Sequence, residues 1–422
     1  MIDFSEIDVK RMASGGTLSP ESPVRRIYIR QPKVQIRDSK AILLARIELG
    51  DIQKEVQFST DEEFAPYLCH ERSDAFLIGL LSLAMRERCD IYCDVPVTKE
   101  LLHQLRTELI PALCKYDTAL YPVKIHAEGS DEPLPSAGKI GTGCSCGVDS
   151  LYAIRSLTEY PDYSIDYLTL NNVGAYTLNG HASMQRFADN AENARSFAAK
   201  HGYKLILTDS NFSEAFPQNH LCTHLYSSIF AVYALRKLWK RYYYASTGCD
   251  LQNYFALHNN HLYDSAKYDL IALPALSIPS LRICNQGADC SRFEKIAALA
   301  DYQPATTHLN VCLQQGKGNC GLCSKCMRTL WILDALGKLE NFSKVFDVVE
   351  YRTKRKERLK KLYEAHLDRV VHIDEAYEIL KDRITPAIRR EARRDWARQH
   401  PSRLRKLVRK VKRLAKQLLG RD

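Results

Sequence analysis

Four cysteines fall within fifteen residues: Cys312, Cys320, Cys323 and Cys326, in NVCLQQGKGNCGLCSKC. Thiolates in this pattern are metal ligands by type and by spacing, because two Cys-x-x-Cys steps share Cys323 and a fourth sulfur lies eight residues upstream. Gly316, Gly318 and Gly321 let the backbone turn tightly enough to aim all four at one point. Tetrahedral ligation of Zn²⁺ is the natural reading, and an iron–sulfur cluster uses the same ligand type. With all four positions filled by protein, a zinc here is structural and has no open position for chemistry. The reading without metal is a loop of reduced thiols, which leaves the glycine-punctuated spacing without a packing reason.

A second chemical signal is GTGCSCGVDSLYAI at 141–154, a Gly/Ser-rich turn running into an amphipathic helix. Such a turn presents backbone N–H groups and a helix N-terminus to an anion. No Gly-Lys-Ser/Thr follows, so it is not a Walker loop, and it is not a dinucleotide G-x-G-x-x-G. The plainer reading is a strand-to-helix turn with Asp149 or Ser150 as N-cap. Cys144, Cys146 and Cys249 fall at expected strand ends, where a thiol near a helix N-terminus is acidified and becomes nucleophilic or metal-binding. Inert packing of these three as buried free cysteines is the competing reading.

Positioning such residues takes a scaffold, and the periodicity predicts one in two parts. Strands are expected at 26–37 and 41–58, the latter a hairpin about Gly50-Asp51, then a helix over 73–88, a strand at 90–94, a helix over 98–115 and a strand at 121–127. Residues 1–130 thus form an α+β domain, and EGSDEPLPSAG at 128–138 supplies the linker 131–138. Beyond it strands and helices alternate: 139–143, helix 149–159, strand 164–170, helix 184–201, strand 203–209, helix 223–239, strand 241–247. This alternation implies an α/β, doubly wound and mostly parallel sheet, with ligands at the carboxyl ends of its strands: 144–150, 171–174, 209–212 and 246–250. The domain spans 139–340 and includes the four-cysteine site, 341–400 is helical, and 401–422 forms one further helix.

Ser145-Cys146-Gly147-Val148-Asp149-Ser150 resembles the Ser-Gly-Gly-x-Asp-Ser loop of the PP-loop ATP pyrophosphatase superfamily. The four-cysteine segment resembles the zinc site of its 7-cyano-7-deazaguanine synthase branch, and the two motifs come in the same order and at similar separation. The likeness covers about residues 139–335. It implies the doubly wound PP-loop fold and cleavage of ATP to AMP and pyrophosphate, adenylating a carboxylate or carbonyl oxygen of a small molecule or modified base for C–N bond formation. Ser145, Cys146, Gly147, Asp149 and Ser150 are then the phosphate-binding residues, with Mg²⁺ beside them. Asp250 is the candidate Mg²⁺ or substrate contact, and a turn cap is the competing reading. Ser291-Arg292-Phe293-Glu294 resembles the family's Ser/Thr-Lys-x-Glu segment, with Arg292 as the cation near the phosphates. Cys146 departs from the family's Gly. The basic tail and spare cysteines also permit a PP-loop tRNA sulfur transferase, and Cys146 permits a regulatory protein that binds ATP without turnover.

Charge is distributed unevenly along the 422 residues, of which 45% are hydrophobic and 26% charged, ruling out disorder throughout and low-complexity classes. The net charge is +10, yet residues 389–422 alone carry +11, so the rest of the chain is neutral. Such a body suits a small-molecule substrate, and the tail suits an anionic partner. Within 401–422, Leu404, Leu407, Val408, Val411, Leu414, Leu418 and Leu419 form a stripe against Lys and Arg elsewhere, which fits an anionic membrane surface, RNA phosphates, or docking on the body. The opening MIDFSEIDVKR has acids where a signal peptide carries positive charge, so a cytoplasmic protein is expected, with the tail placing it at the inner membrane surface if it meets lipid.

Overall fold

The structure, a computed structural model, describes residues 24–178, 181–182, 184–246, 264–314, 318–370 and 372–400. The alternation read along 40–61 forms a hairpin of two ten-residue strands turning at Gly50, whose φ of +59° is the left-handed conformation the turn requires. The hairpin belongs to a sheet of eleven strands: β1 (Arg25–Ile29), β2 (Lys33–Arg37), β3 (Lys40–Leu49), β4 (Ile52–Asp61), β5 (Cys89–Cys93), β6 (Ile125–His126), β7 (Lys139–Gly143), β8 (Tyr167–Asn172), β9 (Lys204–Ser210), β10 (Trp239–Ala245) and β11 (Arg282–Gln286). Their order is β11-β10-β7-β8-β9-β4-β3-β1-β5-β6, with β2 paired to β3.

The strands from β7 to β11 are parallel throughout. The chain leaves β7 for β8 and β9 on one side, then returns to lay β10 and β11 on the other, which is the doubly wound order with a switch point between β7 and β10. Apolar residues on both faces of these strands demand cover on both. Tyr243 packs with Ile140 and with Leu157 of helix α2 (Val148–Leu157), whereas its neighbours Tyr242 and Tyr244 join the large core. That core is shared with helices α1 (Asp74–Glu87) and α4 (His220–Ala234), while α3 (Met184–His201) packs against β8 and β9. Gly141 on β7 lies under the Trp239 indole, where an added Cβ would sit 2.6 Å from a ring carbon. We therefore expect Gly141→Ala to destabilise the protein by about 2 kcal/mol, read as a lowered denaturant midpoint at unchanged slope. An unchanged midpoint would show that the indole can move aside.

The segment 131–138 does not end the sheet. β4 continues it antiparallel to β9 through Asp209↔Ser59 and Ser210↔Phe58, and β3, β1, β5 and β6 follow. Helix α1 is buried nearly all round, from Ala75 to Met85, so it shows no polar face. Its first residue, Asp74, is buried with the Arg236 guanidinium 2.6 Å away.

The chain divides into two compact units. The first runs to Ser291 and takes in Tyr302–Asn310; the second holds Arg292–Asp301, Val311–Gln314 and the chain from Gly318. In the second, helix α5 (Ser324–Ala335) packs against α6 (Arg355–Leu367) and α7 (Asp374–Leu380), α8 (Pro386–Gln399) packs against α6, and Asp334 on α5 is buried. Its carboxylate accepts from Arg355 Nη2 at 2.6 Å, Tyr351 Oη at 3.2 Å and Arg383 Nη1 at 3.4 Å. Among the described residues no helix is long and apolar enough to cross a membrane.

Candidate functional site

The four cysteines converge as their spacing predicts. The Sγ atoms of Cys312, Cys320, Cys323 and Cys326 all lie within 4.8 Å of one another, and those of Cys320 and Cys326 are 4.0 Å apart. A tetrahedral ion with metal–sulfur bonds of about 2.3 Å has sulfur–sulfur edges of about 3.8 Å, so the donor set fits a metal ion such as zinc. Gly318 and Gly321, at φ +85° and +67°, turn the backbone so that N–H groups point at sulfur. Cys312 Sγ accepts from Gln314 N at 3.3 Å and Cys320 N at 3.5 Å; Cys320 Sγ accepts from Cys323 N at 3.3 Å and Leu322 N at 3.4 Å. Burial raises the Cys320 thiol, but these N–H donors outweigh it and bring the group down to about 7. Cys323 is the N-cap residue of α5 and Cys326 lies in its first turn, fully buried, so the cluster sits on a helix start. Asn319 joins the two halves: its Oδ1 accepts from Val311 N at 2.8 Å and its Nδ2 donates to Val345 O at 3.0 Å. Sequence reasoning missed Asn319, for which the only signal was an amide residue directly before a ligand.

In the first unit the turn after β7 is tightly organised. Cys144 N extends the ladder by donating to Thr169 O at 2.8 Å, after which the chain turns through Cys146 at φ +54°. This left-handed conformation favours glycine, so a cysteine here holds a strained backbone in place. Asn310 N donates to the Cys146 carbonyl at 2.8 Å and fixes the turn from outside. Gly147 caps α2, and Ser150 Oγ donates to Gly147 O at 3.1 Å while lying 3.4 Å from Ser145 Oγ. The turn thus gathers Ser145, Cys146, Gly147, Asp149 and Ser150 around one helix start, with Ser145 exposed. The thiol of Cys146 is another matter. It is fully buried, 3.9 Å from Cys144 Sγ, and contact with Cys144 followed by burial pushes it well above the ordinary thiol value. Of the two readings of this thiol, inert packing is the one that its burial against Cys144 supports.

At the next strand ends, Asn172 Nδ2 donates to Asp209 Oδ1 at 2.6 Å, and Thr208 Oγ1 to Asn171 Oδ1 at 2.8 Å. Segment 209–212 lies at the end of β9, but Ser210 and Asn211 hold β4: Ser210 Oγ donates to Gln57 O at 2.6 Å and Asn211 Oδ1 accepts from Gln57 N at 2.8 Å.

Beside the end of β10 stands a cluster that sequence reasoning missed. His224 on α4 places Nε2 3.0 Å from Asp264 Oδ1 and Nδ1 3.2 Å from the Tyr244 hydroxyl on β10. Asp264 caps the short 3₁₀ helix Ser265–Tyr268 through Ala266 N at 3.0 Å, which fixes its carboxylate. Burial raises the Asp264 carboxyl, yet the His224 and Ala266 hydrogen bonds prevail and hold it below the ordinary value. The available signal was His220 and His224, spaced i, i+4 on one helix, and it named no partner.

Asp250 and Cys249 lie outside the described residues, as does the tail 401–422. Arg292 opens the helix Arg292–Leu299 of the second unit. No family model matches the chain, and neither a curated protein nor a solved structure matches it.

Proposed function

We propose that this protein is an ATP pyrophosphatase of the PP-loop type, which binds ATP on the turn Ser145–Ser150, releases pyrophosphate and adenylates a carboxylate or carbonyl oxygen for C–N bond formation. One observation carries the reading: a Gly/Ser turn at a helix start follows the first strand of a parallel sheet, at its switch point, with its second loop residue left-handed at φ +54° where the resembled loop has glycine. In this role Ser145 and Ser150 offer hydroxyls to the phosphates and the closely approached Gly147 leaves room for them. Asp149, half-buried in the first turn of α2, is the carboxylate suited to Mg²⁺, which when bound neutralises charge on the leaving pyrophosphate. The four-cysteine site, read as zinc, holds the start of α5 in a structural role. Sulfur transfer is the weaker reading, because the loop thiol Cys146 is buried and pushed toward its protonated, unreactive form.

The test is the product of ATP turnover by the purified protein with Mg²⁺ and a cell metabolite extract. AMP with pyrophosphate supports the reading; ADP with phosphate, or ATP bound without product, overturns it. Asp149→Ala should lower AMP formation by at least about 10²-fold while leaving the melting temperature near that of the parent. Normal turnover in this variant would remove the turn from the mechanism.

A further inference from the structure

Helix α8 starts at the cap residue Thr385, whose Oγ1 accepts from Ile388 N at 3.4 Å, with Pro386 in its first turn. Ile388 and Ala392 are its buried residues, so a narrow side faces the second unit and the rest of the helix meets water. At 3.6 residues per turn, Arg393, Arg390, Arg394 and Arg398 share an arc of about 140° on the side opposite those two, and all four are exposed. The two acids of the helix, Glu391 and Asp395, fall outside this arc and engage α6: Lys360 Nζ donates to Glu391 Oε1 at 3.2 Å and also to Asp395. Arg398 Nη1 shares Asp395 at 3.1 Å, and Arg393 is held by the Tyr363 hydroxyl, which accepts from its Nε at 2.9 Å. Arg390 and Arg394 make no hydrogen bond or ion pair among the described residues. The arc is thus a row of cations whose nearest carboxylates are already neutralised by a lysine of the neighbouring helix.

Such a row on a rigid helix suits a polyanion. A lipid surface needs an apolar side to insert, and α8 exposes no large apolar side chain. Arginine brings a planar fork that grips phosphate oxygens in pairs. Arg390, Arg394 and Arg398 follow one another at a rise of about 6 Å per step, close to the distance between successive phosphates on a strand with the RNA sugar pucker. We infer that Arg390, Arg393, Arg394 and Arg398 form an RNA-binding face, on which α8 follows the phosphates of one strand of an A-form duplex and reads no base. Recognition of this kind is by charge and shape, which is how duplex RNA is ordinarily bound. When a phosphate takes Arg398, Asp395 keeps Lys360 as its partner, so the contact strands no carboxylate. The face uses neither ATP nor the turn Ser145–Ser150, and it stands or falls separately from the adenylation reading.

The experiment titrates the full-length protein into a fluorescently labelled RNA duplex of about 20 base pairs and follows anisotropy between about 50 and 200 mM KCl. The double variant Arg390→Gln, Arg394→Gln removes two exposed charges and keeps good helix formers, so its melting temperature should stay at that of the parent. Each lost phosphate contact lowers the slope of log affinity against log salt by about one, so the double variant should lower it by about two and bind about tenfold or more weakly at the lower salt. Arg37→Gln removes an exposed arginine from β2 in the first unit and should bind as the parent does. Absence of RNA binding by the parent at about 50 mM KCl, parent-like affinity and slope in the double variant, or an equal loss in Arg37→Gln each overturns the face. A DNA duplex of the same sequence should bind more weakly, and equal binding overturns RNA as the partner. Vesicles of phosphatidylserine and phosphatidylcholine provide the last arm: vesicle binding that the double variant abolishes, with RNA binding intact, assigns the arginines to lipid and overturns the proposal.

Discussion

Cys326→Ser is expected to leave the second unit without its metal and largely unfolded. Cys326 is fully buried in the first turn of α5, and its sulfur shares a cluster in which all four Sγ atoms lie within 4.8 Å. A serine oxygen is shorter and harder than a thiolate, so a soft-metal site loses a ligand with no nearby replacement. Because such a site is not preformed in the unfolded chain, metal binding free energy is folding free energy, of the order of 10 kcal/mol for structural zinc. That is comparable with the whole stability of a domain, so a loss of about 4 kcal/mol or more is expected from this one atom. The unfolding has a local reporter in Trp331 on α5, whose Nε1 donates to Arg358 O at 3.1 Å in a buried setting. Metal content per chain and tryptophan emission should fall together in the variant, and a chelator should produce the same change in the parent. Cys114→Ser, in the first unit, should keep the metal. A stable Cys326→Ser protein with full metal content would mean that three sulfurs suffice or that the cluster holds no ion.

Much of this site was legible because its information is local. Cys-x-x-Cys steps and glycines fix a knuckle within fifteen residues, and no distant strand has to be placed correctly for the sulfurs to meet. Four of the five parallel strands were legible for a related reason: their apolar runs and intervening helices repeat on a scale the chain itself displays, and Lys139–Gly143 falls where the pattern puts it, whereas Arg282–Gln286 was not among the strands expected. The joining of β4 to β9 was not legible. Nothing in the alternation of Ile52–Asp61 names a partner, and the bonds that choose it, Ser210 Oγ to Gln57 O and Asn211 Oδ1 to Gln57 N, connect residues about 150 apart in sequence. The His224 cluster was hidden by the same kind of distance, since Tyr244 and Asp264 are 20 and 40 residues from His224. Periodicity sorted those residues as core, strand end and loop, which describes their burial and misses their meeting. Cys146 shows a third limit. Its residue type suggested chemistry at the helix N-terminus, whereas the backbone uses the position for a left-handed turn and turns the thiol inward.

The second large effect lies in the first unit, where Arg236→Met should cost about 3–5 kcal/mol. Arg236 and Asp74 are both buried, 2.6 Å apart, and Asp74 also accepts from Thr98 N at 2.8 Å and Thr98 Oγ1 at 2.5 Å. Removing the guanidinium leaves a carboxylate inside the core with only the Thr98 donors to compensate it, and an unpaired buried charge is what makes such a loss severe. The partner substitution separates the worth of the pair from the penalty of orphaning it. Asp74→Leu in the Arg236→Met background removes the stranded charge, so the double variant should be more stable than Arg236→Met alone. Full recovery is not expected, because Thr98 N and its hydroxyl lose their acceptor in a buried site. A double variant no better than the single would show that Asp74 takes up a proton cheaply there and that the charge was never the cost. The cycle also bears on the sheet, since Arg236 belongs to the 3₁₀ helix Arg236–Leu238 that runs directly into β10. If this pair anchors the base of that strand, Arg236→Met should loosen the strand end that carries Tyr244, and its amide hydrogens should exchange faster than those of β3 at the same global stability.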